Sequence, residues 1–269
     1  MSRPSDGRLH GPDPVEMRSP AMTRFFTGVM RRQMRRAFRA VRVARPGLPP
    51  LDPSRPTIVV TNHPSWWDPA FAIVLADRLF PGRQPYGPME AEALRKYPFM
   101  RRIGIFGVET EARQGAVRFL EVSRRILADP ARMLWITGQG TFADARERPV
   151  RLRPGAGHLM SRIPDAVAVP LALEYPFWSE KRPEALAAFG RPLDARDGGT
   201  ARDWTERLET ALSETMDGLA ALVLARDPAA FERLAAGRAG VGGVYGAVSR
   251  LRAMAAGRAY VPDHMEDRT

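Results

Sequence analysis

The chain contains no cysteine. That excludes a thiol nucleophile, thiolate-bound zinc, an iron–sulfur cluster and any disulfide. Lysine is almost missing too: Lys96 and Lys181 are the only two, so nearly all of the 41 cationic side chains are arginine. No run of 18 apolar residues occurs, so no membrane-crossing helix is expected. The first 20 residues carry Pro, Asp and Glu but no apolar core, so no secretory signal is expected. There is no G-x-S-x-G elbow and no internal repeat. His63 and Asp68 alone are too few for a metal centre, and no metal or bound cofactor is expected.

What is present is a 269-residue chain with 44% hydrophobic residues and a net charge of +11. Length and composition suit one to two globular domains with a substantial core. The charge is uneven: residues 1–50 hold eleven arginines against Asp6, Asp13 and Glu16. A basic arm on a nearly balanced body points to one anionic surface rather than to nucleic acid, which would call for a basic stripe with interleaved aromatics.

Residues 1–20 read as a disordered leader. Residues 22–45 read as one basic amphipathic helix. Phe26, Met30, Met34, Ala37 and Val41 fall within an arc of about 80°. Eight arginines and no acid lie between 24 and 45. This predicts a helix in an anionic membrane interface, with Phe26, Met30, Arg31, Met34 and Arg35 as contacts. The alternative is a helix packed on the domain with solvated arginines. Residues 46–53 contain four prolines and read as a linker.

From 51 to 200 short apolar runs alternate with amphipathic stretches. Strands are predicted at 57–61, 103–108, 133–137, 166–173 and 187–190. Helices are predicted at 69–80, 111–128 and 155–162, the first with Asp68 as N-cap. The pattern predicts an α/β fold with helices on both sheet faces. Residues 201–269 read as a C-terminal helical extension, with a strong helix at 201–226 and others at 228–236 and 244–256. The glycine-rich 240–246 segment lacks a preceding strand and carries no nucleotide motif. His10 and His264 lie in terminal segments and are assigned no role; His158, at a short helix, reads as a structural or surface histidine, the alternative being one that faces the site.

The first strand runs into Asn62-His63-Pro64-Ser65-Trp66-Trp67-Asp68. A histidine at the carboxyl end of a strand can take a proton from an attacking hydroxyl. A carboxylate five residues on can fold back, fix the imidazole tautomer and stabilise the imidazolium. With no nucleophile supplied by the chain, direct attack of a substrate hydroxyl on an activated acyl group is the economical chemistry. Asn62 and Ser65 would shape this turn. As a bare spacing, the pair could equally be a helix cap beside a satisfied turn histidine.

NHPSWWD resembles the N-H-x-S-x-x-D block of the PlsC-like glycerolipid and lysophospholipid acyltransferase superfamily. Later segments fall in the family's order over residues 55–195: Gly104–Glu109, then Ile136–Phe142 (ITGQGTF) where the family has F-P-E-G-T-R, then Val169-Pro170-Leu171. The resemblance implies a mixed sheet flanked by helices and work at a membrane surface. It implies His63 as base and Asp68 as its partner, and acyl-CoA or an acyl-carrier protein as donor. It also places Asn62, Ser65, Gly138, Gln139, Gly140, Thr141 and Pro170 around the substrate. The chain departs from the family at Thr110 and Phe142, which replace arginines that would hold an acceptor phosphate, and at Gln139, which replaces a glutamate. An acceptor without a phosphate monoester is therefore expected: a glycolipid, carotenoid glycoside or amino-acid lipid. The alternatives are a phosphatidate-forming 1-acyl-glycerol-3-phosphate acyltransferase, with Arg146, Arg148, Arg151 and Arg153 folding inward, a hydrolase using the same pair, or a non-catalytic membrane-binding protein. The expected location is the cytoplasmic face of the plasma membrane.

Overall fold

The computed structural model describes residues 13–109 and 112–237. The segment around Thr110, the 240–246 glycines, the 244–256 helix, His10 and His264 lie outside the described residues.

The described residues begin with a single-turn helix α1 (Pro14–Met17) and an 18-residue helix α2 (Pro20–Ala37), followed by β1 (Ala40–Ala44). Next come β2 (Thr57–Thr61), α3 (Asp68–Leu79), β3 (Gln84–Glu90), α4 (Ala91–Lys96), a 3-10 turn at Pro98–Ile103 and β4 (Ile105–Val108). The chain continues through α5 (Arg113–Leu127), β5 (Arg132–Thr137), α6 (Gly155–Arg162), β6 (Val167–Glu174), β7 (Ala185–Phe189), β8 (Leu193–Asp194), α7 (Ala201–Ala225) and β9 (Phe231–Ala236). The sheet order is β4-β3-β5-β2-β6-β7-β1-β9, with β8 paired to β6. Strands β4, β3, β5, β2 and β6 run parallel, whereas β7 and β9 each join antiparallel to a neighbour. The sheet is mixed and flanked by helices, as the resemblance implied.

β2 is central because TIVVT is β-branched throughout and buried on both faces. One face packs Ile58 and Val60 against α5, α6 and α7; the other packs Val59 against α3 and α2. α7 starts at a capping box between Thr200 and Asp203 and buries Trp204, Leu208, Leu212, Met216 and Leu219 along one stripe.

Several expectations need correction. The basic helix stops at Ala37, and residues 40–44, including Val41, form a fully buried strand between β7 and β9. Alternating valines in Ala40–Ala44 suit a sheet better than a helix. The 21–50 segment is therefore part of the core rather than a separable arm. Its apolar stripe found a groove in the protein: Met34 is 0% exposed, and Met30 and Ala37 pack with it on α3. Met34 makes no membrane contact. Residues 13–20 of the expected disordered leader are ordered as α1 and a capped helix start. Residues 228–236, expected helical, are a 3-10 turn followed by β9, so the 201–269 region is not purely helical.

Candidate active site

The turn between β2 and α3 places His63 and Asp68 at the carboxyl edge of the sheet. His63 Nδ1 lies 2.6 Å from Asp68 Oδ2. With a carboxylate as partner, Nδ1 is the donor, which leaves the Nε2 lone pair available to accept a proton. The Asp68 side chain is 2% exposed and the His63 side chain 17%.

Asp68 is not the helix cap that the sequence suggested. Trp67 occupies the N-cap position without a side-chain bond, and Asp68 begins the helix. Its carboxylate turns back on the site instead. Oδ2 also accepts from the Ser65 backbone N–H at 3.1 Å, and Oδ1 accepts from the Tyr175 hydroxyl at 2.7 Å. Burial, and then the adjacent Asp68 charge, push the Tyr175 phenol well above its ordinary range, so it stays a donor. This partner lies 107 residues away, and no spacing in the sequence ties it to Asp68.

The other expected site residues divide sharply. Asn62 is buried and clamps β2 to β6: its Nδ2 donates to Leu173 O at 3.0 Å, and its Oδ1 accepts from Leu173 N–H at 2.8 Å. Both ends of the amide are engaged with Leu173, so Asn62 ties β2 to β6 at the base of the site. Ser65 Oγ accepts from the Trp67 N–H. Gln139 Oε1 accepts from the His63 backbone N–H at 3.0 Å, so this glutamine holds the base in place. Gly138 is buried, and its N–H is taken by Thr61 O. A Cβ there would sit 2.7 Å from Leu152. Gly140, at φ +71°, donates to Thr137 O and closes a tight turn. Both glycine N–H groups are therefore engaged with backbone carbonyls. Thr141 is exposed at the mouth. Pro170 is buried inside β6, in register with Val60, and is not among the residues lining the cavity described below.

Phe142 stands where the family pattern carries an arginine. Its ring lies over the His63 imidazole, centroid to centroid 4.2 Å, and is 62% exposed. The nearby arginines turn outward: Arg146 pairs with Asp144, Arg148 with Asp217 and Arg151 with Glu209. Arg153 packs its side chain against Gly140. His158 is half-buried on α6.

Below the site a cavity of about 270 Å³ runs between the sheet and helices α2 and α3. Asp68, Thr61 and Thr137 line it at the catalytic end; Phe80, Arg83 and Pro85 line it at the other. Its walls are Phe26, Ala72, Ile73, Ala76, Met100, Ile103 and Trp135. Phe26, expected at a membrane, stacks on Phe99 and faces this cavity. Arg31 pairs with Asp77, and Arg35 donates to Ala236 O. Among the described residues no group of three or more metal-binding side chains occurs, and no helix is long and apolar enough to cross a membrane.

The fold resembles the crystal structure of the 1-acyl-sn-glycerophosphate (LPA) acyltransferase PlsC from Thermotoga maritima, with a TM-score of 0.52 and 12% identity over 74% of this chain and 80% of that one. No curated protein sequence matches the chain. The family model described as Acyltransferase matches residues 31–174, more than half of the chain and the whole β2–α3 turn with its loop after β5. By that match the chain belongs to the Acyltransferase family, and it is an acyltransferase enzyme.

Proposed function

We propose that the protein transfers a fatty acyl group from acyl-CoA or an acyl-carrier protein to a hydroxyl of a neutral-headed lipid at a membrane surface. His63 Nε2 removes the hydroxyl proton as the acceptor oxygen attacks the thioester carbon. Asp68 holds the imidazolium that forms. The C–S bond then breaks, and the leaving thiolate takes the proton from His63. The thioester supplies the driving force, so the reaction needs neither metal nor bound cofactor. The acyl chain lies in the apolar cavity between the sheet and helices α2 and α3.

The observation that carries the acceptor assignment is Phe142 lying on His63 while Arg146, Arg148 and Arg151 are engaged with carboxylates elsewhere. A phosphate monoester needs bidentate cations beside the attacked hydroxyl; the mouth offers an aromatic face, suited to a sugar ring or another uncharged headgroup. The test is competition. Lysophosphatidate and a total neutral glycolipid fraction are offered together with labelled acyl-CoA. Label is expected in the neutral fraction, and Phe142→Arg is expected to move the ratio about tenfold toward phosphatidate. Phosphatidate as the main product of the unaltered enzyme refutes the assignment.

The membrane partner is proposed on a corrected surface. Phe25 is 65% exposed and Tyr97 54%, and Arg24, Arg32 and Arg36 are exposed on the same helix as Phe25. This aromatic and basic face fits an anionic inner leaflet, each arginine contributing about 1 kcal/mol near it. Phe25→Ala combined with Arg32→Ala and Arg36→Ala is expected to reduce sedimentation with anionic liposomes, without retention on DNA by the unaltered protein.

A further inference from the structure

We infer that Arg95, Arg101 and Arg118 form a seat for the phosphates of an acyl-CoA donor, so that coenzyme A rather than a carrier protein delivers the acyl group. This rests on the acyl-transfer reading and names the donor class within it.

A second cavity, of about 280 Å³, opens at the β4 edge of the sheet. Three arginines from three elements line it: Arg95 in the last turn of α4, Arg101 in the 3-10 turn and Arg118 on α5. Glu109 is the one carboxylate on its wall among the described residues. Arg118 Nε donates to Gly107 O at 3.3 Å, which holds that guanidinium over β4. Among the described residues, no hydrogen bond or ion pair engages the Arg95 or Arg101 side chain. Helix α5 begins against the Glu109 backbone; its N-cap Ala112 makes no side-chain bond and its first turn carries no acid, so its positive end adds to the field. Pro14 and Met17 of α1 supply an apolar side against which a base ring can lie.

The register relates this cavity to the catalytic base. Thr61 pairs with Thr137, Leu134 with Tyr86, and Met89 with Gly107. Thr137 and Met89 each lie three residues beyond the Leu134–Tyr86 pair, so Thr61, Thr137, Met89 and Gly107 share one row. His63 and Glu109 each stand two residues past that row, at the carboxyl edge. Three strand spacings separate them, about 14 Å. A pantetheine arm has about thirteen bonds from sulfur to its first phosphorus and spans about 15 Å at about 1.2 Å per bond. A thioester held at His63 therefore brings its diphosphate to the arginine cavity. The catalytic mouth does not compete for it, because Arg146, Arg148 and Arg151 are engaged with carboxylates. Coenzyme A carries a diphosphate and a phosphate monoester, the groups that guanidinium forks bind bidentately. A carrier protein presents the same arm on a single phosphodiester, one charge for three guanidinium groups.

The experiment compares three donors bearing the same acyl chain: acyl-CoA, acyl-dephospho-CoA, which lacks the 3′-phosphate, and acyl-pantetheine, which lacks the nucleotide. The full chain is used in detergent micelles with the neutral glycolipid fraction as acceptor, and thiol release is followed. The unaltered enzyme should favour acyl-CoA over acyl-pantetheine at least about thirtyfold in kcat/KM, through KM, with acyl-dephospho-CoA between them. Arg95→Ala and Arg101→Ala should each raise the KM for acyl-CoA about tenfold, the scale of one charge-assisted bond, and the effect should shrink to within about twofold for acyl-pantetheine. Variants that weaken all three donors in parallel overturn the inference, since the arginines then only support the β4 edge. Equal use of acyl-CoA and acyl-pantetheine by the unaltered enzyme also overturns it. So does a preference for acyl-carrier protein that the two variants reduce, or a loss that appears only on anionic vesicles, where the arginines would be holding lipid headgroups. Titration calorimetry with adenosine 3′,5′-bisphosphate gives a reading that does not depend on turnover. Binding to the unaltered protein, lost in the Arg95→Glu, Arg101→Glu double variant, supports the seat; no binding, or equal binding by both proteins, overturns it. If no donor is consumed while the bisphosphate binds through both arginines, the acyl-transfer reading is what fails and the phosphate seat stands.

Discussion

Two loops leave the carboxyl edge of the sheet side by side, and they spend their polar groups in opposite directions. The turn after β2 directs everything inward. Asp68 takes bonds from His63, Ser65 and Tyr175, and Gln139 reaches across to hold the His63 backbone. The loop after β5 directs its cations outward. Arg148 and Arg151 reach Asp217 and Glu209 on α7, and Arg146 folds on its own Asp144. Both loops are dense in charged or polar residues close to one site, yet only the first is organised about a reacting atom. Proximity of arginines in sequence is therefore weak evidence for an anion site; what decides is whether carboxylates on neighbouring elements have already claimed them.

The sharpest break of this contrast comes at His63. His63→Ala should lower turnover by about 10²–10⁴ with the far-ultraviolet circular dichroism unchanged. Turnover at the unaltered level would mean that the inward-facing turn is only a helix entry.

Tyr175→Phe tests whether the inward network extends past the carboxylate. It removes one hydrogen bond to a charged, buried group and should lower kcat about tenfold, leaving the donor KM unchanged. A purely structural tyrosine would instead alter thermal stability and KM without a selective loss of kcat.

How legible these regions were in the sequence follows from the range of the interactions. The His63 and Asp68 pair is five residues apart and was readable from its spacing at a strand end. Tyr175, Asn62 on Leu173 and Gln139 on the His63 backbone depend on strand neighbours 76 to 111 residues away. Only the sheet order brings them together. The strand β2 and helix α7 were clear because their apolar patterns are unbroken. β3, with prolines at 85 and 88 and a glycine between, carries no strand pattern and pairs only because β4 and β5 flank it. The helix α2 misled for a different reason. An apolar stripe beside arginines has the same appearance whether it meets lipid or protein, and Met34 met the α3 groove. Met34→Ala should cost about 2–5 kcal/mol of stability in denaturant unfolding, whereas a membrane-facing methionine would cost almost nothing.

The outward loop predicts smaller effects. Arg148→Ala and Arg151→Ala each remove an exposed or partly exposed ion pair, worth about 0–1 kcal/mol. Turnover with a neutral acceptor should stay within about twofold, the usual scale for surface changes remote from chemistry. A large loss confined to phosphorylated acceptors would show that these side chains swing inward when such a substrate binds, and the contrast between the two loops would then belong to the free enzyme only.

The smallest expected effect lies where the two loops meet. Glu174 ends β6 next to Tyr175, half-buried, and burial raises its carboxyl pKa above the ordinary value. Arg146 and Arg148 oppose that rise while Asp144 reinforces it, and burial is the largest of these influences. A raised carboxyl binds its proton more tightly in the folded chain than in the unfolded one. Its ionisation therefore costs no stability in acid, and the cost appears as pH climbs through the unfolded value toward the folded one. Glu174→Gln removes a charge that burial disfavours at neutral pH. The variant should melt slightly higher than the unaltered protein at pH 7, and the difference should vanish near about pH 3.5, where the glutamate is already protonated. Paired thermal melts at the two pH values give the answer. If Glu174→Gln melts lower at pH 7, the arginines of the outward loop hold Glu174 strongly enough to outweigh its burial, and the loop after β5 is tied to the catalytic strand by charge as well as by its backbone.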